Sequence, residues 1–154
     1  MEVNDRAPDF SLLDENGKNI ALHDYQGRYV VLYFYPRADT PGCTVEACEF
    51  RDSERQLQQA GAVVLGVSPD PPKDLKKFQE KFHLPFSLLA DTGRKVSEAY
   101  GVLKEKNMYG KKSIGIERTT FLIGPDGKIA RVFAKVKPQG HAEEVLAALR
   151  QPAA

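Results

Sequence analysis

Two uninterrupted apolar runs constrain this chain more than any other feature: "RYVVLYFY", ending at Tyr35, and "AVVLGVS", starting at Ala62. A strand with one wet face alternates apolar and polar residues, whereas a strand apolar at successive positions must be covered on both faces. Between the two runs, "TVEACEFRDSERQLQQAG" is helical in composition and is closed by Gly61. Strand Tyr29 to Tyr35, helix, strand Ala62 to Ser68 is a βαβ unit, for which the right-handed crossover is the rule.

The flanking segments extend this unit. Near the start, "APDFSLLDENGKNIALHDY" offers two short apolar stretches around Asn16-Gly17, a strong hairpin signal. After the second strand, "PKDLKKFQEKFHL" places Leu75, Phe78 and Phe82 on one helical face, "FSLLAD" reads as a short strand and "GRKVSEAYGV" as another helix. "RTTFLIGPDGKIARVFA" is a β-hairpin turning at Pro125-Asp126-Gly127, and "GHAEEVLAALRQ" is a closing helix with Val145, Leu146 and Leu149 on one side. A βαβ unit followed by ββα, with a mixed central sheet and helices on both faces, resembles the thioredoxin-like arrangement. No internal repeat or low-complexity linker interrupts it, so a single α/β domain spanning residues 1–154 is expected, with 42% hydrophobic residues to supply its core.

The net charge of +1, with Lys and Arg scattered, gives no electrostatic footprint for nucleic acid or an anionic membrane. The apolar runs are far too short to cross a bilayer, and "MEVNDRAPDF" has no basic region followed by an apolar core, so a cytoplasmic location is expected. In a reducing compartment two cysteines five residues apart are more often catalytic or metal-binding than structural. A zinc site would want four ligands, and His23, His83 and His141 lie in separate segments without paired spacing, so no metal or cofactor is expected.

Both cysteines fall in "FYPRADTPGCTVEACEF". Thr40 reads as a helix N-cap and Pro41 as the first helical residue, which puts Cys43 in the first turn. There a thiolate meets unpaired backbone N–H groups and the positive end of the helix dipole, both of which favour the charged, nucleophilic form. The bland alternative is an inert buried cysteine. Against it stands the preceding strand, because active sites of open α/β sheets collect at the carboxyl ends of strands. Five residues of intact helix separate two Cα atoms by roughly 8.6 Å, and a disulfide needs less than about 7 Å. Either Cys43 and Cys48 never bond, or bonding requires the first turns to unwind.

The run Pro36-x-x-x-Thr40-x-x-Cys43 resembles the active-site signature of the peroxiredoxins, and "TPGCTVEAC" resembles their bacterioferritin-comigratory, or Q-type, subfamily. The likeness extends through "APDFSL", "VVLYFYP", "VLGVSPD", "FSLLAD" and "IERTTFLIGPDGKI", nearly the whole chain. It implies a thioredoxin-like fold, a thiol peroxidase activity, peroxide as substrate and reduction by thioredoxin or a similar donor. It also implies that Cys43 is the peroxidatic cysteine, that Thr40 and Arg118 complete the site and that Pro36 shields it. Glu46, one turn beyond Cys43, matches a frequent family acid able to orient Arg118.

The chemistry suits these residue types. A thiolate attacking a peroxide displaces an alkoxide or hydroxide, so the site must stabilise negative charge on sulfur and then on the leaving oxygen. A permanently charged Arg118, the Thr40 hydroxyl and the Cys43 N–H are suited to that task. The product is a sulfenic acid, which a thiol converts to a disulfide and water, and Cys48 is the only other thiol. With no arm after the final helix for an intersubunit disulfide, a monomer is expected. Two rival readings remain: a protein thiol–disulfide oxidoreductase, which would usually want Cys-x-x-Cys, and a redox sensor that oxidises stoichiometrically.

Overall fold

The computed structural model describes residues 1–150. Its first hairpin pairs β1 (Ser11–Asp14) with β2 (Asn19–Ala21). Asn16 and Gly17 form the turn, Gly17 taking a φ of +77° that a side chain would resist, while Asp14 Oδ1 accepts from the N–H groups of Asn16 and Lys18. A single 3-10 turn, Leu22–Tyr25, leads into β3 (Tyr29–Phe34). From β3 the chain enters α1 (Pro41–Gln59), passes Gly61 at φ +83° and returns as β4 (Ala62–Ser68), parallel to β3 with Leu32 opposite Leu65. The expected βαβ unit is thus present.

A second crossover follows through α2 (Pro72–Phe82) to β5 (Ser87–Ala90), also parallel to β4. The segment expected as a further helix forms only α3 (Lys95–Ala99), five residues long. Its start is fixed by the buried Asp91, whose carboxylate accepts from the N–H groups of Val96 and Ser97 and from the Ser97 hydroxyl, and Gly101 at φ +72° follows its end. Next comes a hairpin that the sequence does not suggest, β6 (Leu103–Met108) and β7 (Lys111–Ile116), paired with each other outside the main sheet. The hairpin of β8 (Thr119–Ile123) and β9 (Ile129–Phe133) and the helix α4 (His141–Arg150) complete the chain.

The main sheet runs β2-β1-β5-β4-β3-β8-β9. Its centre is β3, flanked by parallel β4 and antiparallel β8, and five of its six residues are buried. That explains the unbroken apolar run, because both faces of the strand are dry. On one face Val31, Tyr33 and Tyr35 meet α1, α2 and α4 through Phe50, Leu57, Phe78 and Val145. On the other, Val30, Leu32 and Phe34 meet Phe10, Leu22, Tyr100 and Ile116. That second face is covered by the short α3 with the residues after it, the 3-10 turn, the N-terminal segment and the inner edge of the extra hairpin.

Two close approaches fix the helical face. Gly66 of β4 lies so near Tyr33 that a Cβ there would fall 2.9 Å from the phenol oxygen. Phe50 is fully buried and stacks on Tyr33 with centroids 4.8 Å apart, so α1 is pinned to β3 just beyond both cysteines. Burial of such a ring contributes roughly 1.5–3 kcal/mol, and its aromatic partner adds about 1 kcal/mol.

Candidate active site

The loop from Tyr35 to Thr40 carries the chain from the end of β3 to the head of α1, and it is held in place. Tyr35 N–H donates to Val67 O at 3.0 Å, and Ala38 N–H donates at 2.7 Å to Asp70 Oδ2, which also accepts from the Ser68 hydroxyl. Asp39, at φ +59°, pairs with Lys81 of α2 at 3.0 Å. Half-buried Pro36 sits in this loop directly after the strand. Thr40 occupies the N-cap position in extended conformation, and Pro41 opens the helix. The Thr40 hydroxyl does not cap the helix; it donates to Arg37 O at 2.8 Å. Its oxygen lone pairs are thereby left to accept from a ligand.

Thr44 N–H makes the first helical bond, to Thr40 O at 2.8 Å. The N–H groups of Gly42 and Cys43 precede it and so have no acceptor within the helix. Cys43 is 1% exposed, and its sulfur accepts from Arg118 Nη2 at 3.4 Å. Arg118 arrives from the residue before β8, which pairs with β3 with Thr119 opposite Phe34, so the sheet register delivers the guanidinium to the head of α1. Its other nitrogen, Nη1, donates to Glu46 Oε1 at 2.7 Å. Cys43, Arg118 and Glu46 therefore form one cluster.

The electrostatics follow from burial. Desolvation pushes the Glu46 carboxyl up to about 7, against the pull of Arg118, which favours its ionised form. For Arg118, burial opposes the charge, but Glu46 and Cys43 outweigh it and hold the guanidinium above its ordinary value. The cluster thus keeps a fixed cation beside the sulfur.

Cys48 is not brought to Cys43. Helix α1 is continuous through both, each sulfur is a free thiol, and Cys48 is half-buried further along the helix. The geometric bar to a disulfide in the intact helix therefore holds.

Three contributors to the cluster escape sequence reasoning. Gly42 is one: a Cβ there would lie 3.1 Å from Arg118 Nη2 and 3.5 Å from Pro138 Cγ, so its bare backbone makes room for the guanidinium. Pro138, the second, closes that side from the loop before α4. The third is buried His141, whose Nδ1 lies 3.0 Å from Glu144 Oε1 and whose Nε2 lies 2.7 Å from Thr120 Oγ1. Burial lowers its pKa, so the neutral ring donates from Nδ1 to the carboxylate and accepts from the threonine, tying α4 to β8 two residues after Arg118. The glycine beside the cysteine is a visible signal for the first; nothing local marks the other two.

The AhpC/TSA family model matches residues 3–132. The chain is 52% identical over 149 residues to a putative peroxiredoxin bcp of Coxiella burnetii, covering 97% of this chain and 99% of the relative. It is 47% identical over 150 residues to the peroxiredoxin Bcp of Bacillus subtilis, covering 97% and 96%. Among solved structures, a cysteine-to-serine mutant of Xylella fastidiosa PrxQ superposes with a TM-score of 0.93 at 40% identity, covering 97% of this chain and 96% of that one. The bacterioferritin comigratory protein of Xanthomonas campestris, studied for alkyl peroxide reduction, superposes with a TM-score of 0.89 at 42% identity, covering 92% and 90%. The fold, the family match and these relatives agree that the chain belongs to the AhpC/TSA family and, within it, to the Bcp/PrxQ peroxiredoxins, which are thiol peroxidases.

Proposed function

We propose that Cys43 is the peroxidatic cysteine of this peroxidase and Cys48 its resolving cysteine. The observation that carries the reading is the contact between Cys43 Sγ and Arg118 Nη2, 3.4 Å long and placed at the head of a helix. The Cys43 thiolate attacks one peroxide oxygen, the O–O bond breaks, and the departing oxygen takes a proton to leave as an alcohol or water. Cys43 is then a sulfenic acid. Arg118 and the Cys43 N–H stabilise the negative charge as it moves from sulfur to the leaving oxygen, and the Thr40 oxygen accepts the peroxide hydrogen. Pro36, in the braced loop, shields the reacting sulfur.

The Cys48 thiol then attacks the Cys43 sulfenic acid, forming the S–S bond and releasing water, which requires the first turns of α1 to open. A dithiol donor of the thioredoxin kind returns two electrons and two protons to the disulfide. Hydrogen peroxide and organic hydroperoxides are the substrates, in keeping with the alkyl peroxide chemistry studied in the Xanthomonas relative. The protein works as a cytoplasmic monomer that engages neither nucleic acid nor membrane. The near-neutral net charge of +1 gives no electrostatic footprint for nucleic acid or an anionic membrane, and no helix among the described residues is long and apolar enough to cross a membrane.

Peroxide consumption with a thioredoxin system, together with mass spectrometry of the oxidised protein, tests the reading. Cys43→Ser should reduce turnover to background, since a serine hydroxyl is almost wholly un-ionised near neutral pH. Cys48→Ser should still consume one equivalent and stop at oxidised Cys43. Substantial turnover by Cys43→Ser would overturn the assignment, and stoichiometric oxidation of the unmodified protein without turnover would favour a sensor.

A further inference from the structure

A second cavity, of about 440 Å³, lies where the catalytic cluster does not reach. Its floor includes Val30 and Ile123, which pair across β3 and β8 at the end of those strands away from Cys43. Four residues of strand, about 13 Å, separate Val30 from Phe34 at the catalytic end. Both floor residues belong to the sheet face opposite α1. The cavity is therefore separated from Cys43 by the length of the strand and by the thickness of the sheet.

Its walls are fixed. The N-terminal segment is bound to the β8–β9 turn through Ala7 N–H to Gly127 O at 2.9 Å, and the loop after the 3-10 turn through Gly27 N–H to Pro125 O at 3.1 Å. On the third side Asp9 takes both the His23 N–H at 3.2 Å and the His23 ring at 2.8 Å. Three separate segments are thus cross-linked around an apolar floor, and the volume is in the range of small-molecule sites.

The rim has a definite charge. Arg6 and Arg28 both line the cavity, and neither guanidinium makes a salt bridge or side-chain hydrogen bond among the described residues. Arg6 Nη1 lies 3.5 Å from where a Cβ on Gly127 would stand, so the bare glycine backbone lets the guanidinium lie against the cavity wall. The one carboxylate on the lining, Asp9, is already matched by His23, whose protonated form it favours. Two arginines lining an apolar floor, neither in a salt bridge among the described residues, suit one class of ligand: an anionic head carried on an apolar body.

We propose that this cavity is a binding site for a small amphipathic carboxylate, its apolar part against Val30 and Ile123 and its carboxylate between Arg6 and Arg28. The inference does not rest on the roles assigned to Cys43 and Cys48.

Titration of the reduced protein with dodecanoate below its micelle concentration, followed by amide NMR and calorimetry, tests it. Acetate, dodecanol and phosphatidylglycerol vesicles are the comparison probes. Dodecanoate should bind saturably with one-to-one stoichiometry and shift the amides of Val30, Ile123 and Gly127. Acetate should give no saturable shifts, and dodecanol should bind at least about tenfold more weakly. The double variant Arg6→Gln, Arg28→Gln should lose about tenfold or more in dodecanoate affinity, the lower end for charge-assisted hydrogen bonds, with peroxide reduction and melting temperature unchanged. Equal affinity for dodecanol, unaltered affinity in the double variant, shifts centred on other residues, or association with vesicles in place of saturable dodecanoate binding would each overturn the proposal.

Discussion

Glu46 holds Arg118 from one helical turn beyond Cys43, its Oε1 accepting from Nη1 at 2.7 Å while Nη2 reaches the sulfur at 3.4 Å. The guanidinium is thereby fixed in plane by one carboxylate oxygen and aimed by the other edge of its fork. The second carboxylate oxygen, Oε2, is buried with no hydrogen-bond partner among the described residues. That arrangement favours orientation of the arginine over full satisfaction of the glutamate.

Arg118→Ala removes the fixed cation beside Cys43, so peroxide attack should slow by about 10²–10³-fold, the usual scale for losing one preorganised donor at a site of developing charge. Arg118→Lys should recover only part of this, because an ammonium cannot serve the carboxylate and the sulfur with one planar fork. Stopped-flow measurement of Cys43 oxidation checks both. An unchanged rate in Arg118→Ala would remove the residue from the site.

Glu46 should make stability depend on pH. Its folded value of about 7 lies above the ordinary 4.5, so the native state binds more protons than the unfolded chain between those values. The contribution is fully present below about pH 4.5 and is lost as pH rises through about 7, a decline on the order of 3 kcal/mol. Glu46→Gln cannot ionise and should flatten that part of the profile. Denaturant unfolding of both proteins across the window is the measurement, and parallel profiles would show that Glu46 is not the titrating group.

Gly42→Ala tests the close approach of backbone to guanidinium. Alanine is well tolerated in a first helical turn, but its methyl would stand 3.1 Å from Arg118 Nη2 and 3.5 Å from Pro138 Cγ. Arg118 should be displaced by a few tenths of an ångström, with a loss of about tenfold in kcat/KM and little change in melting temperature. Full activity would mean that the guanidinium has room to spare.

Oxidation should open α1 only as far as its anchor. Amides of residues 44–50 should lose hydrogen-exchange protection in the disulfide form, while those from Glu54 on, whose carbonyl acceptors lie at or beyond Phe50, keep theirs, because Phe50 is fully buried against Tyr33 and the His141 ring, at centroid distances of 4.8 and 5.6 Å. Cys48→Ser treated with peroxide should keep the reduced pattern. A disulfide form protected throughout residues 44–50 would contradict the resolving role of Cys48.

The central strands are legible because burial on both faces of β3 and β4 writes itself as continuous apolar sequence, and the β1–β2 and β8–β9 turns because positive φ selects Gly17 and Gly127. The β6–β7 hairpin leaves no such mark. Ile116 is the sole buried residue of β7, and the turn places Tyr109 at φ +54° beside Gly110 at +76°, a conformation tyrosine does not advertise. Helix α3 is shorter than its composition suggests because its boundaries are set by Asp91 and Gly101 rather than by periodicity. At the site, the helix start and the nucleophile can be argued from Thr40, Pro41 and Cys43. The meeting of Arg118 with Cys43 spans 75 residues of chain and follows from strand register, which no local pattern carries.

The unbroken run of α1 between the two cysteines has a kinetic meaning. If Cys48 resolves Cys43 as proposed, the fate of the sulfenic acid becomes a race between helix fraying and arrival of a second peroxide. Fraying proceeds at a rate fixed by the fold, whereas the competing collision scales with oxidant concentration. Low peroxide should then favour the rescue, and a higher dose should send a growing fraction of molecules to the sulfinic acid and out of the cycle. The hold of Phe50 on Tyr33 bounds how much of the helix can open, so under the same proposal the anchor would act as a dose limiter.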